Sequence, residues 1–249
     1  MALVSRDPLV NRRGDPLRVL VLGASSGIGA SAATALVDSG ARVVGAARRE
    51  TRVAELEGVT PVACDVSLPE DCDQVVAAAV ERLGGLDALV YAAGVTWITP
   101  LDSTGPERWS EIFSTNLFGA AMVTRAAMPH LLSDTSDSRA VYLTSDSVEM
   151  PYPGLVAYGA SKAALRAYCQ GLAGEFTGLR VTEIMVGPTI DTEMGERFDE
   201  TIVGWLARWT DEGYIRFGYQ LSADVAGVIV DTLRSQEPES RVTAAAELT

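Results

Sequence analysis

One histidine, His130, and three cysteines, Cys64, Cys72 and Cys169, are all that 249 residues offer toward nitrogen and sulfur ligation of a metal. No CxxC knuckle or histidine pair stands at ligand spacing, so no zinc site is expected. The cysteine count is odd and the spacing irregular, which does not make a disulfide framework. Three free thiols in a reducing cytoplasm are the expectation. Basic residues are scarce as well: 20 Lys and Arg against 33 Asp and Glu give a formal charge of −13. An acidic surface of that size repels nucleic acid and anionic membranes, while leaving room for a local basic pocket. No long apolar run follows the N-terminal Arg6, Asp7, Arg12 and Arg13, so no signal peptide or membrane anchor is expected. Residues 1–16 read as a polar leader that need not be ordered. No Pro/Ser-rich linker or repeat divides residues 17–249, which read as one domain.

Hydrophobic residues make up 47% of the chain, enough for a sizeable core. From Leu17 strand-like and helix-like segments alternate. Short apolar runs lie at 18–22, 41–47, 60–64, 86–91 and 140–144, with further strands at 180–186 and 241–246. Between them come helical stretches, 28–39 and the amphipathic 69–83, where Val75, Val76, Ala79, Val80 and Leu83 recur at helical spacing. Continuously apolar strands separated by helices predict an α/β, doubly wound parallel sheet in three αβα layers. In such folds ligands bind outside the carboxyl ends of the strands, where the strand order reverses.

Gly23-Ala24-Ser25-Ser26-Gly27-Ile28-Gly29 lies between the first strand and the first helix. Glycines there permit positive φ and close approach of backbone to a pyrophosphate, and the helix start offers free N–H groups. This stretch resembles the cofactor loop of the short-chain dehydrogenase/reductase family, in its single-domain branch, with Leu22 in place of the family's usual threonine. The end of the second strand would carry a carboxylate if the ligand were NAD(H). Ala47, Arg48 and Arg49 stand there instead, and a small residue followed by arginine suits the 2′-phosphate of NADP(H). Asp65-Val66 matches the family's pair beside the adenine, and Asp65 can equally cap the segment from Ser67. Ala92, Ala93 and Gly94 keep the small backbone of the family's Asn-Asn-Ala-Gly without its asparagines.

Tyr158 and Lys162 stand at i and i+4, on one helical face, so the ammonium can approach the phenol. A neighbouring cation favours phenolate, which would let Tyr158 give or take a proton near neutral pH. Ser145 precedes Tyr158 by thirteen positions. The resemblance implies that it orients the carbonyl, with Ser147 as its neighbour, that Asn116 supports a proton relay, and that Lys162 also holds the ribose. Further along, Gly187, Thr189 and Thr192 resemble the segment over the nicotinamide, with Val186 where the family has proline. Residues around 193–220 are expected to form a substrate lid. Trp97, Ser147, Tyr152, Met194 and Trp205 are candidate pocket walls, facing an apolar carbonyl compound or packing on their own core.

Taken together, the resemblance implies an NADP(H)-dependent oxidoreductase interconverting a ketone or aldehyde and an alcohol. It also implies a homodimer or homotetramer built on the alanine-rich helices 117–132 and 158–176. The other readings are a catalytically weak NADP(H)-binding sensor or partner subunit, and a lyase or epimerase with tightly held cofactor.

Overall fold

The computed structural model of the chain describes residues 7–133, 138–193, 202–235 and 239–247. Seven strands form one parallel sheet: β1 (Arg18–Leu22), β2 (Arg42–Ala47), β3 (Val59–Ala63), β4 (Ala88–Tyr91), β5 (Ser138–Leu143), β6 (Leu179–Val186) and β7 (Arg241–Ala244). Their order is β3-β2-β1-β4-β5-β6-β7. Each predicted strand is found, with ends moved by a residue or two. The fourth and the last each shorten by two residues, the last because Ala246 beyond its end leaves the ladder to pair with Gly218.

Burial follows the two-residue period of a strand covered on both faces. In β1, Val19 and Val21 enter one core while Leu20 and Leu22 enter the other; β4 divides Ala88 and Val90 from Leu89 and Tyr91 in the same way. The first core is closed by α1 (Gly27–Asp38) and α8 (Ser222–Arg234), with Val53 from the short α2 (Glu50–Val53). The second is closed by α3 (Pro69–Leu83), α5 (Gly119–Leu131) and α6 (Val156–Glu175). Proline at the first position of α3 and left-handed Gly84 beyond its end delimit that helix. The three-layer αβα architecture expected from the sequence is the observed one.

The helices α4 (Pro106–Phe113), α7 (Ile202–Asp211) and α8 are not among those read from the sequence. Helix α4 runs through a π-turn, Ser114–Phe118, into α5, and α7 lies within the segment 193–220 read as a lid. At the N-terminus, Leu9 is buried in the first core and its N–H donates to Ser39 O at 2.7 Å. The second half of the segment read as a leader therefore packs on the domain.

The chain reverses direction across the sheet between β1 and β4, so the crevice at their carboxyl ends is the switch point. The turns after β1, β4, β5 and β6 all open there, bringing together Gly23, Gly94, Ser145 and Gly187 from distant parts of the chain.

Candidate active site

Gly23 leaves β1 with φ +85°, and its N–H and that of Ala24 donate to Ala46 O at 2.8 and 3.1 Å. A side chain at Gly23 would meet Ala93 N at 2.7 Å, and one at Gly29 would run into the Gly23 carbonyl. These glycines are therefore the condition for β1, β4 and α1 to approach so closely. The N-cap of α1, Ser26, makes no side-chain capping bond, and the first turn carries no acidic residue. Its N–H groups and positive dipole end thus face the crevice, a ready place for a phosphate.

Beside this turn, the Arg49 guanidinium donates to Ser25 Oγ (3.3 Å) and Ser26 Oγ (3.2 Å) and pairs with Glu193 at 2.5 Å. Arg52 grips the other oxygen of Glu193. Desolvation would raise the Glu193 carboxyl, but the hydrogen bonds of the two arginines hold it below the usual range. Arg48 is exposed and makes no ion pair among the described residues. Neither Arg52 nor Glu193 is singled out by sequence pattern; Arg49 and Glu193 lie 144 positions apart. Thr192 packs on the glycine turn, 3.1 Å from where a Gly27 side chain would begin, so the segment after β6 lies across the turn. Thr189 bonds back to Gly187 O and pairs with Gln220. Asp65 accepts from Ser67 N and Oγ at 3.0 and 2.7 Å, which closes a turn ahead of α3; the helix itself starts at Pro69 with Leu68 at its N-cap, so Asp65 does not cap it. Next to it, Val66 lends its carbonyl to the Cys72 thiol.

Where the family pattern would have asparagine, Tyr91 turns into the second core and donates to Thr115 O at 2.6 Å. A side chain on Gly119 would meet its hydroxyl at 2.5 Å, so the missing asparagine and the glycine at the head of α5 belong to one local repacking. Ala92 and Ala93 still carry the backbone past Gly23, as the small residues implied.

Tyr158 and Lys162 lie on the first turns of α6, and both are buried. Lys162 Nζ sits 5.8 Å from the Tyr158 ring centre and donates to Leu143 O at 2.8 Å. It is the only lysine in the sequence. Asn116 is fully buried in the π-turn. Its amide donates to Val95 O (3.0 Å) and Ser161 Oγ (2.9 Å), and its oxygen accepts from Val95 N at 2.8 Å. A Gly94 side chain would begin 3.5 Å from both Asn116 Oδ1 and Lys162 Nζ, which shows how near the two come. A π-turn of this kind often marks a functional position.

The protonation of the pair differs from the expected one. Burial pushes Tyr158 up to about 12, against a lowering hydrogen bond from Ser145 and with a further raise from Asp146. Burial also brings Lys162 down to about 8. Lys162 is not among the groups that shift Tyr158; its ammonium is turned to Leu143 O, and desolvation disfavours the charged form of each residue. Tyr158 therefore keeps its proton at neutral pH.

Ser145 ends the segment after β5 and accepts from Ser147 N at 3.1 Å. It borders a cavity of about 140 Å³ with Asp146, Ser147 and Tyr152. The remaining wall is apolar or aromatic, including Leu155, Pro188, Leu206, Trp209 and Tyr219. Trp209 donates to Pro153 O at 2.9 Å and meets Tyr152 edge-on, so α7 is clamped onto the segment after β5. Trp205 stacks over Gly154 behind this wall rather than in it. Trp97 faces away, with its indole donating to Glu111 at 2.8 Å under Arg108. Met194 lies outside the described residues. Asp146, a buried carboxylate beside Ser145, was not foreseen among the site residues.

Comparison with known proteins agrees with this geometry. The family model described as short chain dehydrogenase matches residues 18–202. An uncharacterized oxidoreductase of Staphylococcus epidermidis is 34% identical, over 72% of this chain and 80% of its own. Glycine betaine reductase of Emericella nidulans is also 34% identical, over 79% of this chain, which spans only 17% of that protein's length. A crystal structure of a short chain dehydrogenase from Burkholderia cenocepacia in complex with NADP superposes with a TM-score of 0.78 at 27% identity, covering 94% of this chain and 98% of the other. The glycine turn, the parallel sheet that carries it and these matches together show that the chain belongs to the short-chain dehydrogenase/reductase family of oxidoreductases.

Proposed function

We propose that the protein is an NADP(H)-dependent oxidoreductase interconverting a carbonyl compound and its alcohol. The convergence of Ser145, Tyr158 and Lys162 beside the cavity carries this reading. The NADP complex of the Burkholderia relative supports the cofactor, as do Arg49, Ser25 and Ser26 grouped beside the glycine turn. The open start of α1 fits a pyrophosphate, and the close Gly23–Ala93 packing leaves backbone along which a dinucleotide can lie.

When bound, the reduced nicotinamide supplies a hydride to the carbonyl carbon. Ser145 Oγ, which donates to Asp146 Oδ1 without substrate, would turn its single proton to the carbonyl oxygen and stabilise the charge that develops on it. Tyr158, protonated at neutral pH, gives its Oη proton to that oxygen. Lys162 would hold the cofactor ribose and, with its lowered affinity for protons, would return one to the Tyr158 oxygen. Asn116 keeps the segment Val95–Asn116–Ser161 in place behind Lys162. In the alcohol-oxidising direction Tyr158 accepts the proton instead.

The helices α5 and α6 carry exposed apolar residues at their heads, Phe118 at 55% and Val156 at 45%. Ala163 and Ala167 are exposed along α6. This supports a homodimer through these helices, which light scattering of the purified chain tests. Three buried thiols without a disulfide fit a reducing cytoplasm, and no described helix is long and apolar enough to cross a membrane. For the chemistry, the test is Tyr158→Phe. NADPH binding should persist while carbonyl reduction falls by about a hundredfold or more. Near-native turnover by that variant would refute the assignment.

A further inference from the structure

Among the described residues three carboxylates are buried: Asp87, Glu183 and Asp146. Two of them have the cation that a buried carboxylate needs. Asp87 is gripped by Arg18 through Nε and Nη2 at 2.8 and 2.7 Å, and Glu183 by Arg166 Nε at 2.8 Å. Asp146 has none. Its Oδ1 accepts from Ser145 Oγ at 3.1 Å and its Oδ2 from Tyr152 Oη at 2.8 Å, and both donors are neutral. Among the described cations, Lys162 is held by Leu143 O, and the charge of Arg216 acts on Tyr152 rather than on Asp146.

Asp146 differs from the other two in a second respect, since it borders a cavity. That cavity also contains Ser147, whose buried Oγ has no hydrogen-bond partner. The rest of the wall is aliphatic, from Leu155, Pro188, Leu206 and Ile215, or aromatic, from Tyr152, Trp209 and Tyr219, and brings no cation to the cavity. The main-chain N–H groups of Ser147 and of Asp146 itself also act on the carboxylate, so every donor around it is neutral and none supplies the charge that a cation would.

We propose that Asp146 is the specificity-determining residue of this site and that the cation it lacks arrives on the substrate, a carbonyl compound bearing a protonated amine. This rests on the oxidoreductase reading above. Ser145, which meets the carbonyl oxygen, and Asp146 are neighbours in the chain with their side chains in contact. The amine therefore belongs on the first or second carbon from the carbonyl. The ammonium donates to Asp146, its alkyl groups lie against Trp209 and Tyr219, and Ser147 Oγ serves as an additional acceptor. Desolvation raises the Asp146 carboxyl, which the hydrogen bonds of Tyr152 and Ser145 only partly offset. An incoming cation reverses that penalty, so charged substrate gains over neutral substrate of the same shape.

The test compares dimethylaminoacetone with its carbon isostere, methyl isobutyl ketone, as substrates of the full chain with NADPH at mildly acidic pH. For the native protein kcat/KM should favour the amine by about tenfold or more, the effect of one charge-assisted hydrogen bond. In Asp146→Asn the ratio should fall toward unity. A native ratio near one, or a preference that survives Asp146→Asn, overturns the proposal. A second measurement needs neither variant nor turnover. Calorimetry of the NADPH-loaded native protein with the two corresponding alcohols should show the amino alcohol binding about tenfold more tightly, and equal or weaker binding overturns the proposal. Failure of both ketones to turn over, with the amino alcohol still preferred, would instead count against the reaction and leave Asp146 as the cation site. A change in NADP⁺ over NADPH affinity in Asp146→Asn, without change in amine preference, would assign the carboxylate to the nicotinamide and overturn the proposal.

Discussion

The lone lysine makes one property of the site directly measurable. Lys162 is 4% exposed, and burial brings it from 10.5 to about 8. At about 1.4 kcal/mol per unit, keeping the ammonium in the folded protein costs about 3 kcal/mol. The direction with pH follows from proton counting. Below about pH 8 the folded and unfolded chains both carry the charge, and the cost is fully present. Between about 8 and 10.5 the folded chain has released its proton while the unfolded chain still binds it. Stability from this group therefore rises with pH across that window. The buried thiols act oppositely at higher pH, because their raised values make the folded state hold protons longer. Comparison with Lys162→Met isolates the lysine. In denaturant unfolding at about pH 7.5 and about pH 9.5, native stability should gain about 2 kcal/mol relative to the variant. Isotope-labelled lysine gives a single side-chain NMR signal, which should titrate near 8. Titration near the ordinary lysine value, with no change in the stability difference, would refute the desolvation argument.

Further outcomes can be checked independently. Glu193 pairs with Arg49, the guanidinium proposed above for a 2′-phosphate, and with its neighbour Arg52, and exposed pairs of this kind contribute about 0.2–1 kcal/mol each. Glu193→Gln should therefore tighten NADPH about three- to tenfold in fluorescence titration and change NADH less; equal shifts would show that the pair does not compete with the phosphate. Arg49→Ala should weaken NADPH more than Arg48→Ala, since only Arg49 reaches the glycine turn, and the same titration ranks them. Cys64 and Cys72 are pushed up to about 12 and about 11, with desolvation the main cause. In the native protein a thiol reagent at neutral pH should label them only at the rate of unfolding, and fast labelling would contradict their burial. Gly23→Ala combines a φ of +85° with a side chain 2.7 Å from Ala93 N, so it should lower the melting temperature and weaken cofactor binding together. Unchanged values of both would show that the turn relaxes freely.

Much of this protein is decided by short-range rules that need no coordinates. Apolar runs of strand length broken by helical periods determine a covered parallel sheet, because each strand must bury both faces. Glycines at a strand-to-helix turn and the i, i+4 spacing of Tyr158 and Lys162 are equally local. Tertiary structure alone decided the rest. The strand order sets β4 beside β1, and only then does Gly23 meet Ala93 and Tyr91 find its place against Gly119. Glu193 closes on Arg49 and Arg52 through space, with no sequence periodicity to announce it. The sign of the Tyr158 and Lys162 shifts depends on how much water their neighbours exclude, which sequence spacing does not encode. Asp146 is distinguished by what is missing around it: among the described residues no cation pairs with it, and that is a property of packing which no spacing along the chain encodes.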